Sequence, residues 1–529
     1  MKTLEMLQGM FKEGKITRRE FIQRASALGI AVAVSPALLG RDASAATPKK
    51  GGRFRQGVGG GSTTDSLDPS TITDAMCQNL NWQIRNSMIE IDYKGNPVPE
   101  LAESFESSPD AAQWVFKLRK GVEFHNGKSF EAEDVIDSIN HHRGKDSKSA
   151  AKSLLEQVEE IKADGKNAVI FKLNRGNADF PYVLAAYHLT IQPAGTRGDD
   201  FAKGIGTGAY QLVSYEPGVR ALVKKNPNYW KKGRGHFDEV ETLGIADFSA
   251  RTNALKTGQL DFINRCDLKT VHLLKKSPNI QIVQTTGTRH YTIPMITTMK
   301  PYDNNDVRLA LKYAVDREQM VKMILRGYGS VANDHPIGPS QRFYASGLPQ
   351  RKFDPDKARF HMKKSGIGDY VFKLHTADAA FGGAVDAAVL FKESAAKAGI
   401  KIEVVREPND GYWSNVWMKK AFSTCFWSGR PTSDWMFSTA YAADAAWNDS
   451  FWKHDRFNKL LKEARAMLDK NKRREMYVEM QKIVRDEGGV IVPMYADYLA
   501  AANKKVKFGK LAGNWPMDGH KNVERWWFA

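Results

Sequence analysis

Trp114-Val115-Phe116-Lys117-Leu118-Arg119-Lys120-Gly121-Val122-Glu123-Phe124-His125-Asn126-Gly127 is the stretch whose reading decides the fold. Its first five residues alternate between two faces, the pattern of a strand with one side buried. Shortly after it, residues 131–140 set Val135, Ile136 and Ile139 on one stripe of a helix. Upstream, a strand is expected over 53–57, a turn at Leu67-Asp68-Pro69 and a helix over 75–87. Downstream, Gly206-Thr207-Gly208-Ala209-Tyr210-Gln211-Leu212 reads as a tight turn entering a strand. Phe353-Asp354-Pro355-Asp356-Lys357-Ala358 reads as a turn opening a capped helix. Residues 306–326 form a helix pair with Val307, Leu311 and Val315 in one buried row and Val321 and Leu325 in the next. Short strands alternating with amphipathic helices predict a mixed α/β protein. No repeat of 20 to 50 residues emerges, which excludes a solenoid.

The first 45 residues have a different character. Thr17-Arg18-Arg19-Glu20-Phe21-Ile22 is a paired-arginine motif, residues 25–39 are mildly apolar, and Ala43-Ser44-Ala45 offers a small-residue cleavage site before Ala46. The apolar run is shorter than the roughly 20 residues of a spanning helix, and Gly29 and Pro36 weaken it. We read 1–45 as a twin-arginine signal peptide handled by the Tat export machinery, with a mature chain starting near Ala46 in a bacterial periplasm; an uncleaved anchor is the lesser alternative. Residues 46–529 hold no run of 18 apolar residues, so a soluble chain is expected, and they are too many for a single core.

Charge and cysteines narrow the partners. The chain carries a formal charge of +18, about +15 once the seven Lys or Arg and four Asp or Glu of the leader are removed. The positive residues are scattered in pairs such as Lys224-Lys225, Lys231-Lys232 and Lys504-Lys505, with no nucleic-acid-binding motif beside them, so nucleic acid is excluded as a partner. Cys77, Cys266 and Cys425 are odd in number and far apart, which excludes a disulfide-built fold and predicts buried, inert thiols.

Several chemistries lack residues. Twelve histidines include no HExxH helix and no cluster with Cys, so neither a metal site nor a cofactor is expected. His141-His142 reads as an exposed helix pair, because adjacent helix residues diverge by about 100°. Gly57, Gly59, Gly60 and Gly61 are followed by Ser62 and Thr63 without the lysine of a phosphate loop, and read as a loop after the first strand. No GxSxG elbow or local Cys/His signature is present, so no catalytic residue is assigned and the chain is not read as an enzyme.

Taken in order, the blocks resemble a known family. Leu67-Asp68-Pro69, Pro99-Glu100-Leu101-Ala102-Glu103-Ser104, the 114–127 stretch, Gly206-Thr207-Gly208-Ala209-Tyr210, Asn226-Pro227-Asn228-Tyr229-Trp230, Asp306-Val307-Arg308-Leu309-Ala310-Leu311-Lys312-Tyr313-Ala314-Val315-Asp316-Arg317 and Val492-Pro493-Met494-Tyr495 are similar to the family 5 solute-binding proteins of ABC importers, the dipeptide, oligopeptide and nickel receptors. The resemblance implies an α/β, periplasmic-binding-protein-like two-lobed clamp (type II, cluster C) with an extra inserted domain. Lobe 1 would comprise 46–86, 198–291 and 490–529, the insert 87–197, and lobe 2 292–489. It also implies a monomer that delivers a peptide-like or other small polar solute to an ABC permease and ATPase complex.

By the same resemblance, Thr73, Asp74 and Ala75 would offer main chain to the ligand, and Cys425, Trp427, Ser428 and Gly429 would lay an extended ligand beside them. Trp427 is expected to face the ligand. The peptide-binding members hold the ammonium terminus with an aspartate three residues after this tryptophan. Here that position is Arg430. A guanidinium accepts no hydrogen bond and repels an ammonium, so Arg430 needs Asp434, Asp74 or an anionic ligand group. Asp434 is the alternative acceptor for the amine. Tyr412, Trp413, Trp417, Trp435 and Trp447 add aromatic density, most of it expected in the core. Non-peptide cargo such as an opine, glycoside, amine or nickel chelate is the rival reading; a periplasmic hydrolase or a signalling receptor is the rival from another class.

Overall fold

The computed structural model describes residues 48–149 and 151–529, so the signal peptide read over 1–45 lies outside the described residues. Among the described residues no helix is long and apolar enough to cross a membrane. A nine-stranded sheet forms the spine. Its order is Cys425–Trp427, Ile280–Pro294, Val490–Asn503, Phe262–Ile263, Arg53–Val58, Glu239–Gly244, Arg220–Lys225 and Tyr210–Glu216, and Gly329–Val331 also pairs with Val490–Asn503.

Ile280–Pro294 and Val490–Asn503 are 15 and 14 residues long. They pair antiparallel from Ile280 opposite Asn503 to Pro294 opposite Val490, with register shifts between Thr285 and Arg289 and between Tyr291 and Ile293. Each end feeds a different core. Val283 and Ala502 pack with Phe54, Phe237 and Trp526, whereas Ile293 and Met494 pack with Val307, Leu311 and Phe391. The two strands therefore cross from one hydrophobic body into another, and the first register shift falls between them.

A separate four-stranded antiparallel sheet runs in the order Ala102–Ser107, Gln113–Leu118, Ala168–Leu173, Val158–Ala163. The alternation read at 114–118 is realised here: Trp114, Phe116 and Leu118 are buried against Val169, Phe171, Val135 and Ile139. The helix read over 131–140 is Ala132–Asn140, started by a reciprocal capping box between Glu131 and Asp134. The helix read to open at Phe353-Asp354 is Pro355–Ser365 behind Asp354, and the pair read over 306–326 is Asn305–Tyr313 and Arg317–Met323, capped by Asn304 and Asp316.

Two expectations are corrected. The helix read over 75–87 is Ala75–Ile84 and stops because Arg85 is extended. Its buried guanidinium donates from Nη1 to the Leu67 carbonyl at 2.9 Å and to Asn81 Oδ1 at 2.8 Å. The 206–208 turn passes so close beneath this helix end that a Cβ on Gly206 would lie 2.2 Å from the Ile84 carbonyl oxygen. The His141-His142 pair is not exposed. His142 is fully buried with Nδ1 2.7 Å from Ser149 Oγ, and His141 Nε2 lies 2.7 Å from Asp68 Oδ1. They sit where the helix ends, and the chain folds back over them. The three cysteines are free and buried, and burial pushes the Cys266 thiol up to about 12.

A buried ionic network ties the four-stranded body to the rest. Lys231 Nζ lies 2.6 Å from Glu90 Oε2, 2.7 Å from Glu100 Oε1 and 3.0 Å from Glu524 Oε1. Arg525 Nη2 adds a 2.6 Å contact to Glu90 Oε1. Burial weighs against the charge on Lys231, yet the three carboxylates hold its ammonium well above its ordinary value.

Candidate functional site

A cavity of about 1450 Å³ opens beside the crossing strands. Its volume exceeds the roughly 300–1,000 Å³ of typical small-molecule sites. Asp74 sits in one wall as the N-cap of Ala75–Ile84, its Oδ1 accepting from the amides of Met76 at 2.8 Å and Cys77 at 3.2 Å. Burial, with Asp65 nearby, raises this carboxyl above its ordinary range. Thr73 and Ala75 line the same wall, and the Thr73 carbonyl accepts from Gln78 Nε2 at 3.1 Å.

The facing wall is the end of the sheet. Cys425–Trp427 is its edge strand, paired antiparallel with 290–292. Phe426, Ser428, Arg430 and Asp434 line the cavity, whereas Cys425, Trp427 and Gly429 do not. Strand alternation explains the division: with Phe426 turned to the cavity, its two neighbours turn away. Trp427 is only 6% exposed and packs against Trp417 and Trp447 at 6.2 and 6.1 Å between ring centroids. Trp435 and Trp447 are the tryptophans of this region that reach the cavity. Gly429 has φ +78°, and a Cβ there would lie 2.2 Å from the Thr288 carbonyl oxygen, so the loop needs glycine to pass the crossing strand.

Arg430 pairs with neither Asp434 nor Asp74. Its Nη1 donates to the Gly429 carbonyl at 2.7 Å, and its guanidinium stacks 5.9 Å from the Trp427 ring centroid. Asp434 is held instead by Arg465 at 3.2 Å, and burial raises its carboxyl despite that partner. Next to it Asp179 forms a two-pronged pair with Arg473 at 2.6 and 2.7 Å, and the Ala178 amide donates to the Arg465 carbonyl at 2.7 Å. These contacts join the body holding the four-stranded sheet to helices Asp455–Ala466 and Lys470–Glu487.

Arg265, Arg289, Tyr187, Tyr498 and His520 also line the cavity. Arg265 follows Phe262–Ile263 with φ +50°, and Arg289 stands at the register shift of Ile280–Pro294. Burial, with Arg265 nearby, holds His520 down to about 3, so it is neutral.

Behind Trp427, Asp449 is buried with Oδ2 3.2 Å from the Trp417 indole nitrogen. Burial pushes its carboxyl up to about 6, with the Trp417, Trp427 and Cys425 donors pulling it down. Between pH ~4 and ~6 the folded chain then keeps a proton that the unfolded chain releases. Stability is favoured below pH ~4 and lost as pH rises to ~6, by about 3 kcal/mol. Asp449→Asn is expected to raise the melting temperature at pH 7 and to flatten its dependence between pH 4 and 6. An unchanged profile would remove Asp449 as its cause.

The profile described as bacterial extracellular solute-binding proteins, family 5 Middle, matches residues 96–471. The glutathione-binding protein GsiB of Salmonella choleraesuis (strain SC-B67) is 25% identical over 509 residues, covering 93% of this chain and 96% of that protein. GsiB of Pectobacterium atrosepticum is 26% identical over 475 residues, covering 86% and 90%. Among solved structures, the ABC transporter-associated periplasmic binding protein DppA from Helicobacter pylori, in complex with the peptide STSA, aligns with a TM-score of 0.74 at 23% identity over 91% of this chain and 98% of that one. The binding protein AgaA in complex with agropinic acid, from A. tumefacien R10, aligns with a TM-score of 0.73 at 23% identity over 90% and 99%. Both share the mixed α/β architecture of the type II periplasmic binding proteins.

Proposed function

This chain belongs to the bacterial extracellular solute-binding proteins of family 5, and from that membership we propose that it is the receptor of an ABC importer, capturing a small polar solute between two lobes. The observation that carries the reading is the cavity of about 1450 Å³ beside the two crossing strands, lined by residues from both hydrophobic bodies. A ligand touching both walls favours the closed form by its differential affinity for it. The lobes are 46–86 with 198–291 and 490–529, and 292–489; residues 87–197 form the insert. Thr73, Asp74, Ala75, Ser428, Arg430 and Asp434 are the wall residues that meet the ligand, while Cys425, Trp427 and Gly429 shape the loop behind it. The receptor works as a monomer in the periplasm, reached through the twin-arginine signal, and releases its cargo unaltered to a permease.

The named ligands of its relatives set the first probes, glutathione and short peptides. A thermal-shift screen of the purified protein against peptides, opines, sugars, amines and nickel chelates tests the role. A ligand present at a hundred times its Kd adds about 2.7 kcal/mol. Stabilisation by one chemical class, with the compound recovered unchanged, is the expected result. A cleaved compound would replace the receptor with a hydrolase, and silence from every class would sink the reading.

A further inference from the structure

Three guanidiniums, Arg265, Arg289 and Arg430, come from three separate segments and line one cavity. Among the described residues none of them makes an ion pair with a carboxylate. The Nε–H of Arg289 is buried without a hydrogen-bond partner, and its guanidinium lies 5.4 Å from the Tyr498 ring centroid. Among the described residues the Arg430 guanidinium makes a hydrogen bond to its own neighbour's carbonyl and lies over the Trp427 ring. Arg265 is exposed at the cavity wall; burial, then the charge of Arg289, lowers its guanidinium, while Asp74 opposes them.

The carboxylates of the cavity answer these charges only in part: Asp74 eases the charge on Arg265 without an ion pair, and the others are engaged elsewhere. Asp74 is spent on the amides of Met76 and Cys77, Asp434 is held by Arg465 and Asp179 by Arg473. Glu156 is exposed, as is Arg175 on the same segment of the lining. Half-buried charges without an ion pair, as at Arg289 and Arg430, are costly, and a folded protein keeps them where a ligand supplies the counter-charge. Guanidiniums match planar two-oxygen anions in particular, through two parallel hydrogen bonds.

We propose that the cargo is a compact polyanion, bearing two or more carboxylate or phosphate groups, gripped by Arg265, Arg289 and Arg430; this rests on the receptor role and adds its substrate class. The three residues form an anion cradle spanning the wall beside Asp74, the crossing strand and the loop after the edge strand. Tyr187 and Tyr498 frame Arg430 with aromatic surface and hydroxyls.

The test is calorimetric titration with glutathione, its monoethyl ester, agropinic acid, citrate, pyrophosphate and the neutral-side-chain peptide Ser-Thr-Ser-Ala, on the unaltered protein and on Arg289→Gln, Arg430→Gln and Arg289→Lys. The expected result is binding by probes with two or more anionic groups, weakened about 30-fold or more in each glutamine variant. Arg289→Lys should restore part of it. Carboxylate and phosphate probes separate the two sources of anion. The ligand-free melting temperature of Arg289→Gln should hold or rise, since an unpaired guanidinium is removed; a purely structural arginine would lower it. Equal affinity in the variants overturns the cradle. So does tight binding of neutral or amine solutes with the anions silent, an outcome that leaves the receptor role standing. Silence from every solute class in both experiments counts against the role itself.

Discussion

Lys231→Met is expected to destabilise the ligand-free protein by about 3–5 kcal/mol, the usual consequence of removing one partner from a buried ionic cluster. The ammonium sits within 3.0 Å of three carboxylates, Glu90, Glu100 and Glu524, all at most 7% exposed. Lys521 and Arg525 remain to balance them, with Lys521 also paired to Glu100 and Arg525 to Glu90. Without Lys231, however, Glu524 loses its ion-pair partner. The measurement is the melting temperature, which should fall by several degrees or more. The loss should be largest near neutral pH, because burial is outweighed by Lys231, Lys521 and their neighbours, which hold Glu90 and Glu524 below their ordinary range. Lys231→Arg keeps the charge but not the compact shape and should lose less. A melting temperature unchanged by Lys231→Met would mean that the network is held by Lys521 and Arg525 alone.

The second large effect concerns closure. Arg473→Met should weaken ligand binding about 100-fold while lowering the ligand-free melting temperature by only a few degrees, the loss of its Nε bond to the Ala464 carbonyl. Asp179 and Arg473 join the body holding the four-stranded sheet to helix Lys470–Glu487 by a 2.7 Å hydrogen bond and a 2.6 Å ion-pair contact. If those bonds exist only when the clamp is shut, the cost of stranding Asp179 falls on the closed state, and about 3 kcal/mol there corresponds to two decades in Kd. In an open form water would reach Asp179 and spare that state the cost. The opposite pattern, a lower melting temperature with unchanged Kd, would make the pair a permanent part of the fold. Scattering measurements with and without ligand would show the same shift as a change in radius of gyration.

Local pattern carried most of the fold. The alternation at Trp114, Phe116 and Leu118, the apolar rows of Val307 and Leu311, and the aspartate and asparagine caps act within a few residues, so a single sequence displays them. Sheet order did not show, because Phe262–Ile263 and Cys425–Trp427 are too short to announce their partners. The resemblance named Thr73, Asp74, Ala75, Cys425, Trp427, Ser428, Gly429 and the Arg430 position, and the charge of Arg430 pointed to Asp434; of these, Thr73, Asp74, Ala75, Ser428, Arg430 and Asp434 line the cavity. It could not resolve which side of the edge strand faces inward, and the alternation gives that side to Phe426 rather than Trp427. Arg265 and Arg289 escaped notice because a left-handed loop residue and a register shift in a long strand arise from tertiary pairing and leave no local mark. The Arg465 partner of Asp434 was hidden by its distance along the chain.

The burial of all three cysteines has a practical consequence. A thiol reacts as thiolate, and burial keeps Cys77, Cys266 and Cys425 protonated and out of reach. The folded molecule is therefore expected to be silent toward maleimides. A single cysteine introduced at exposed Trp413 or Phe451 would carry a fluorophore or spin label on a clean background, with no native thiol to delete first. Conversely, the onset of labelling in the unaltered chain would serve as a clock for its unfolding.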